Sequence, residues 1–326
     1  MPDIFDMQSS DYDDITDKTG FDSQRLQLEQ ADQHFAALDQ DLQVRARCSI
    51  WWRDTAKLDG STTGAVGHYA ATEAQYGEAV LQHALRELKH RRCDIAVGPL
   101  DGNTWRNYRF ITERGDANPF FLEPDNPDKW PLHFGHAGFS TLAHYVSEIN
   151  PDMANRQPEL GSLREKFASL GVQINPVDVD DPVDDMAGIY RVVCESFRTS
   201  FMYTPLDIDS YCSLYEPMLM QVEPSLILVA KHAGEVVGFI LAPPDFLQLK
   251  YQHRMDAIVI KTVAVLPQKE YRGLGRILIV DCLKNAIDMG FTTAISALMH
   301  VQNRSQKISS DCAGPMRAYA LFAKEL

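Results

Sequence analysis

Val263-Ala264-Val265-Leu266-Pro267, then Tyr271-Arg272-Gly273-Leu274-Gly275-Arg276, then an apolar run from Ile277 to Ile287, is the stretch that decides how this chain is read. The order is a buried strand, a glycine-containing turn and a helix. A helix that starts directly after such a turn presents N–H groups with no intrahelical partner. Together with the helix dipole they form an anion site, whose expected guest is a pyrophosphate. A P-loop would end in Gly-Lys-Ser/Thr, whereas Gly275 is followed by Arg276 and Ile277. A dinucleotide fingerprint would add a third glycine and an acidic residue about 20 positions on, in a unit that opens a parallel sheet. Neither feature is present, and the stretch lies towards the C-terminus.

The segment resembles motif A of the GNAT superfamily of acyl-CoA-dependent N-acyltransferases: Val-x-Pro, a short loop, then Gln/Arg-x-x-Gly-x-Gly/Ala. Arg272, Gly273 and Gly275 fall on that pattern, and Asn303 and Gly314, after a strand read at Thr293 to Met299, keep the eleven-residue spacing of motif B. Earlier family elements are expected as a strand at Val172 to Pro176, a helix around Met186 to Phe201 and strands at Leu226 to Lys231 and Val236 to Leu241. The resemblance implies an α+β fold, with mixed, mostly antiparallel twisted sheets flanked by helices. It also implies a site for acetyl-CoA or another acyl-CoA formed by Val263, Ala264, Val265, Arg272, Gly273, Leu274, Gly275, Arg276 and Asn303, with no metal. The chain departs from the family at Ile277, where Gly or Ala is usual, and at Ser310, where a Tyr often protonates the leaving thiolate. It also has a loop two residues longer between Pro267 and Arg272, and no Glu on the strand read at Ile258 to Val265.

With 326 residues, 45% of them apolar, two domains are expected. The formal charge of −14 is unevenly spread: Met1 to Asp22 holds seven Asp and one Lys, while Lys250 to Leu326 carries +5 against −19 for the remainder. So acidic a chain is a poor partner for nucleic acid. The six cysteines form no Cys-x-x-Cys pair, and no membrane-spanning run or leader pattern appears. A cytoplasmic location and no membrane insertion are therefore expected.

The expected organisation is an acidic disordered tail (1–22), a degenerate GNAT-like domain (23–150), a linker and helix (151–171) and a GNAT domain (172–326). The spacing of Leu28, Ala31, Phe35, Leu38 and Leu42 predicts a helix over 23–42. The segment from Ala46 to Asn150 repeats the C-terminal order in degraded form: a strand to Trp52, a turn at Gly64-Ala65-Val66-Gly67, a helix with Tyr76, Val80, Ala84 and Leu88 on one face, and a strand from Asp94 to Leu100. Gly138-Phe139 and Leu142 to Tyr145 resemble the family's final strand, and the whole chain resembles bacterial tandem GNAT-like proteins. One chain then supplies both lobes, so a monomer suffices as an internal pseudo-dimer. The Gly98 to Trp105 and Pro119 to Pro127 loops, rich in aromatics and proline, are candidates to face a ligand.

In the mechanism the resemblance implies, an amine, on a small molecule or a protein, attacks the thioester carbonyl directly. Weak candidates for proton transfer or acceptor contact are His300, Ser310 and Tyr203, with Glu270 in the lengthened loop. His133, His136 and Asp125 are read as surface groups in preference to a metal site, and none of the cysteines stands in an activating motif. The expected function is acyl transfer to an amine. A protein that binds acyl-CoA without turnover, as sensor or scaffold, is the alternative.

Overall fold

The computed structural model describes residues 2–7, 19, 28–155, 160–178, 182–302 and 313–326. Fourteen strands and seven helices are assigned among them. The strands are β1 (Asp3–Asp6), β2 (Gln33–Leu38), β3 (Val44–Trp51), β4 (Thr63–Ala71), β5 (Ile95–Gly98), β6 (Phe110–Glu113), β7 (Ser140–Asn150), β8 (Gln173–Pro176), β9 (Ile227–His232), β10 (Glu235–Leu241), β11 (Ala257–Ile260), β12 (Thr262–Val265), β13 (Thr293–His300) and β14 (Gly314–Glu325). The helices are α1 (Ala74–His90), α2 (Trp130–His136), α3 (Gly161–Leu170), α4 (Val183–Phe197), α5 (Ile208–Leu219), α6 (Gln248–Tyr251) and α7 (Leu274–Asp288).

Two sheets result, one of ten strands in the order β1-β2-β3-β4-β5-β14-β7-β13-β11, with β6 also on β14, and one of four in the order β12-β10-β9-β8. Pairing is antiparallel except for β4 with β5 and β11 with β13. Those two parallel pairs are each joined through a helix, α1 or α7, as a parallel connection requires. The middle of the large sheet reads the same from either end: β4-β5-β14 on one side, β11-β13-β7 on the other. Each lobe's last strand lies against the other lobe's parallel pair. β14 joins β5 through Phe322 to Glu325, β7 joins β13, and β7 and β14 pair with each other from Gly314↔Ile149 to Ala323↔Ser140.

Two buried clusters fill the lobes. In one, Phe35, Ile50, Val66, Leu81 and Leu88 lie under α1; in the other, Val192, Leu226, Ile240, Leu274 and Leu278 lie between α4, α7 and the small sheet. A polar cluster pins the seam. Arg317 on β14, almost wholly buried, pairs with Glu123 (Nε to Oε1 2.7 Å) and donates to the carbonyls of Ala117 (2.8 Å) and Asn118 (3.1 Å). The Tyr319 hydroxyl donates to Glu123 and lies 3.0 Å from Ser147 Oγ on β7.

Four expectations are corrected. Residues 33–38 form β2 instead of helix: β2 lies between β1 and β3, and its ladders and burial outweigh a spacing that suits either element. Asp3–Asp6 is not tail but β1. Its backbone pairs with β2 whatever its side chains, Ile4 packs on the core and Met7 is buried. Gly64 to Gly67 form no turn; they lie within β4, where Leu88 and the Asp101 backbone press too close for a Cβ. The strand read at Ile258 to Val265 is two, β11 in the large sheet and β12 in the small one, divided at Lys261. Apart from residues 2–7 and 19, the expected tail lies outside the described residues.

A buried hydrogen-bonded chain runs from His34 Nδ1 to Ser49 Oγ (2.8 Å), to His68 Nδ1 (2.8 Å), and from His68 Nε2 to Glu29 (2.7 Å). Burial, with His68 beside it, lowers the His34 pKa from 6.5 to about 4. The unfolded chain therefore takes up a proton at higher pH than the folded one. This contribution to stability is whole above pH 6.5 and is lost as pH falls towards 4, by about 3 kcal/mol at most. Denaturant unfolding across that window should show the decline, and His34→Gln should flatten it. Arg317→Met leaves Glu123 buried without its cation and should cost about 3–5 kcal/mol by the same measurement.

Candidate functional site

The site grows from the break at Lys261. Up to Ile260, paired with Ser296, β11 runs beside β13; beyond it β12 turns away to pair with β10, from Leu241↔Thr262 to Gly238↔Val265. A wedge therefore opens between β12 and the end of β13, and among the described strands none pairs with the outer edge of β12. Backbone groups on such an edge can hydrogen-bond an extended ligand as another strand would.

From β12 the chain enters the loop Leu266 to Gly273. The length added here is taken up by a 3-10 turn, Lys269–Tyr271, whose buried Tyr271 bonds His232 Nδ1 at 2.8 Å. Gly273 has φ +100 at the N-cap of α7, a left-handed position that favours glycine, and a Cβ there would come within 2.9 Å of Leu163. No side chain caps the helix and no acid stands in its first turn, so the leading N–H groups are left for a ligand. Gly275 faces β12: a Cβ there would lie 3.5 Å from Val263 and 3.6 Å from Val265. Ile277 is buried beside Leu274 and Leu278 in the core, which explains how a large residue is accepted at that position.

The sequence-predicted groups Val263, Ala264, Val265, Arg272, Gly273, Leu274, Gly275 and Arg276 thus come together as strand, turn and first helical turn. Asn303 and Ser310 lie outside the described residues. Arg272 and Arg276 are exposed beside the helix start, and α3 supplies a third cation, with Lys166 Nζ donating to the Arg272 carbonyl at 3.0 Å. The α3 helix is fixed there by Arg164, paired with Asp281 of α7. Ser196 of α4 donates to the Val265 carbonyl at 2.9 Å. Lys166 and Ser196 were not legible in the sequence because neither belongs to a pattern.

Two loops of the N-terminal lobe reach this lobe. Trp105 donates to the Thr204 carbonyl at 2.7 Å and meets Tyr203 and Tyr211 edge-on, and the Phe121 N–H donates to Asp245 at 2.8 Å. Tyr203, half-buried, has its pKa raised by burial and by Cys194, so it keeps its proton. Glu270 is exposed in the 3-10 turn. His300, the last residue of β13, lies between the Tyr145 and Phe201 rings, and its Nδ1 accepts the Gln302 N–H at 3.1 Å. The Nδ1 contact leaves Nε2–H as the ring's donor, and burial, with Arg109 nearby, lowers the ring's pKa.

His133 bonds Tyr69, His136 bonds Glu78 and Asp125 pairs with Arg114, so these three residues do not converge. Ligand atoms of Glu29, His68 and Asp101 come within 4.8 Å of one another, but both His68 ring nitrogens are already engaged and Asp101 accepts the His68 N–H at 2.6 Å. Burial raises the thiol pKa of Cys48 and of Cys282, the latter to about 12, so neither is a ready nucleophile. Among the described residues no helix is long and apolar enough to cross a membrane.

Residues 187–308 match the model of the acetyltransferase (GNAT) family. No curated protein matches the sequence. Among solved structures, a tandem GNAT protein from the clavulanic acid biosynthesis pathway aligns over all of this chain and 98% of its own, with TM-score 0.55 and 10% identity. A GCN5-related N-acetyltransferase from Sphaerobacter thermophilus aligns over 94% of this chain and 86% of its own (TM-score 0.51, 12% identity). The glucosamine N-acetyltransferase region of a fungal multi-domain GH3 β-N-acetylglucosaminidase aligns over 99% (TM-score 0.57, 13% identity), and this chain spans 38% of that protein. At such identities the likeness is one of fold. With the family match falling on the wedge and the helix that follows it, residues 187–308 belong to the acetyltransferase (GNAT) family, and the chain has a tandem GNAT-like fold.

Proposed function

We propose that the C-terminal lobe transfers an acetyl or longer acyl group from CoA to an amine. The observation that carries this reading is the uncapped start of α7, flanked by Arg272, Arg276 and Lys166, at the end of a strand whose outer edge is unpaired. The pyrophosphate would take the first N–H groups of α7 and charge-assisted bonds from the arginines. The pantetheine arm would lie along β12, with the thioester towards the apex of the wedge. There the amine attacks the carbonyl carbon, a C–N bond forms, the C–S bond breaks, and the sulfur leaves with a proton that the nitrogen gives up. Positioning and polarisation of the carbonyl supply most of such a rate gain, which suits a site built largely from backbone. The N-terminal lobe contributes Trp105 and Arg109 to the acceptor side. Two lobes in one chain make a monomer sufficient, and a reducing, cytoplasmic setting fits its free cysteines.

Calorimetric titration with CoA and acetyl-CoA tests the donor site. Saturable binding is expected in the wild type, and its absence at millimolar ligand would reject the reading. Gly275→Ala should fold and bind, because its Cβ meets only ordinary contacts, whereas Gly275→Glu should keep the fold and lose at least tenfold in affinity through repulsion of the phosphates. Gly273→Ala should instead lower stability by about 1–2 kcal/mol, read by thermal unfolding, because its φ of +100 disfavours any side chain.

A further inference from the structure

Two cationic side chains, Arg109 and Lys261, and the His300 imidazole come together at the apex of the wedge, and among the described residues no carboxylate pairs with any of them. Arg109, 6% exposed, enters from the N-terminal lobe in a left-handed backbone conformation (φ +67), with its N–H bonded to the Pro99 carbonyl at 3.0 Å. Its guanidinium lies over the rings of Tyr108 (3.7 Å) and Tyr145 (4.3 Å), and one Nη donates to the Leu298 carbonyl of β13 at 2.9 Å. Its Nε–H is buried and has no acceptor among the described residues. A charged donor left unmet costs more than a neutral one, so a buried one calls for an explanation such as a bound ion.

Lys261 occupies the strand break itself. Its backbone N–H is fixed by the Leu241 carbonyl (3.1 Å), and its ammonium lies 5.6 Å from the Tyr215 ring centroid, with no acid among its partners in the described residues. Lys261 is half-buried, and burial, with the charge of Arg109 after it, lowers its pKa to about 8. His300 feels the same arginine and offers Nε2–H.

We propose that Arg109, Lys261 and His300 form a subsite for a carboxylate carried by the acceptor, so that the substrate is an amino acid or another amine bearing a carboxylate. This rests on the acyl-CoA reading of the wedge. The choice of acceptor over donor follows from position. Lys261 precedes β12, at the far end of that strand from the start of α7, so the subsite lies beyond the thioester of a donor laid along β12. Arg109 belongs to the same loop as Trp105, which packs against the exit of α4. An Arg–carboxylate pair would satisfy the orphaned Nε–H, and Lys261 would supply the second, more mobile charge.

The anion site is tested first with bromide as probe. Crystals of the full chain soaked in sodium bromide should show anomalous density within hydrogen-bond distance of Arg109 Nε and Lys261 Nζ, and Lys261→Met should remove it. Bromide bound elsewhere but absent here overturns the site. Bromide here with no CoA binding in calorimetry would instead sink the acyl-CoA reading and leave the anion site standing. Acetyl-CoA and succinyl-CoA should bind within about threefold of each other in wild type and in Lys261→Met. Succinyl-CoA binding at least tenfold tighter, an advantage lost in the variant, would assign the carboxylate to the donor and overturn the acceptor assignment. Amines that the chain acetylates should show KM raised at least tenfold by Lys261→Met. An efficient acceptor that lacks a carboxylate and is indifferent to this substitution would overturn the substrate class.

Discussion

The antiparallel pairing of β7 with β14 is the constraint on which the rest of the structure depends. In each lobe a parallel pair crosses over through a helix and must then find an antiparallel neighbour. That neighbour is supplied by the other lobe, β14 to β5 and β7 to β13. Separating the lobes would strip interior strands of ladder bonds, each contributing about 0.5–1.5 kcal/mol net, and would leave long buried edges unpaired. Glu123, Arg317, Tyr319 and Ser147 make the junction specific as well as cohesive. A shift of one residue in register would turn Tyr319 to the other face and leave Glu123 with an unmet charge in a dry interior. The two lobes therefore share the ten-stranded sheet, although the chain between them runs out and back.

The same seam orients the wedge. Because β7 holds β13 from one side, β13 cannot follow β12 as the latter leaves for the small sheet. The divergence at Lys261 is thus imposed by two incompatible partners, β13 for Ile260 and β10 for Thr262. An edge opened in this way costs stability, because its backbone groups are satisfied only by water or by a ligand. The α7 helix then closes on β12 with Gly275 against Val263 and Val265, which fixes the distance from the helix start to the open edge. Rigid backbone does most of the shaping, so the family's chemistry can persist where individual side chains such as the expected Glu and Tyr differ.

This also explains what could be read in advance. Gly273, Gly275 and Arg272 stand within one local turn whose geometry is fixed by residues adjacent in sequence, and the strands and helices of the C-terminal lobe carry plain periodicity. Residues 33–38 misled because apolar residues at three- and four-residue spacing also satisfy a strand buried on both faces, as β2 is. The break at Lys261 left a trace, one charge in the run Ile258-Val259-Ile260-Lys261-Thr262-Val263, but nothing local says to which sheet each half goes. Arg109 left none. Its relation to Lys261 and His300 is made by strand order alone, over more than 150 residues of chain, and no spacing rule reaches that far.

The two lobes share a plan but differ in what fills the corresponding place. In the C-terminal lobe eight residues, Leu266 to Gly273, separate strand from helix; in the N-terminal lobe only Thr72 and Glu73 do. The start of α1 has no glycine turn, and the cation beside it, Arg45, is paired with Asp39. Its approach to β4 is occupied by Tyr69, whose hydroxyl would meet a Cβ on Gly77 at 2.2 Å, and Trp130 donates to the last carbonyl of β4 at 3.1 Å. A phosphate there would have to displace packed aromatic rings and face Glu73, so the aromatic filling and the loss of the loop act together to exclude it. Trp105 and Arg109 extend from the segment between β5 and β6 into the neighbouring lobe, which gives the wedge a wall that a single lobe of this fold would lack.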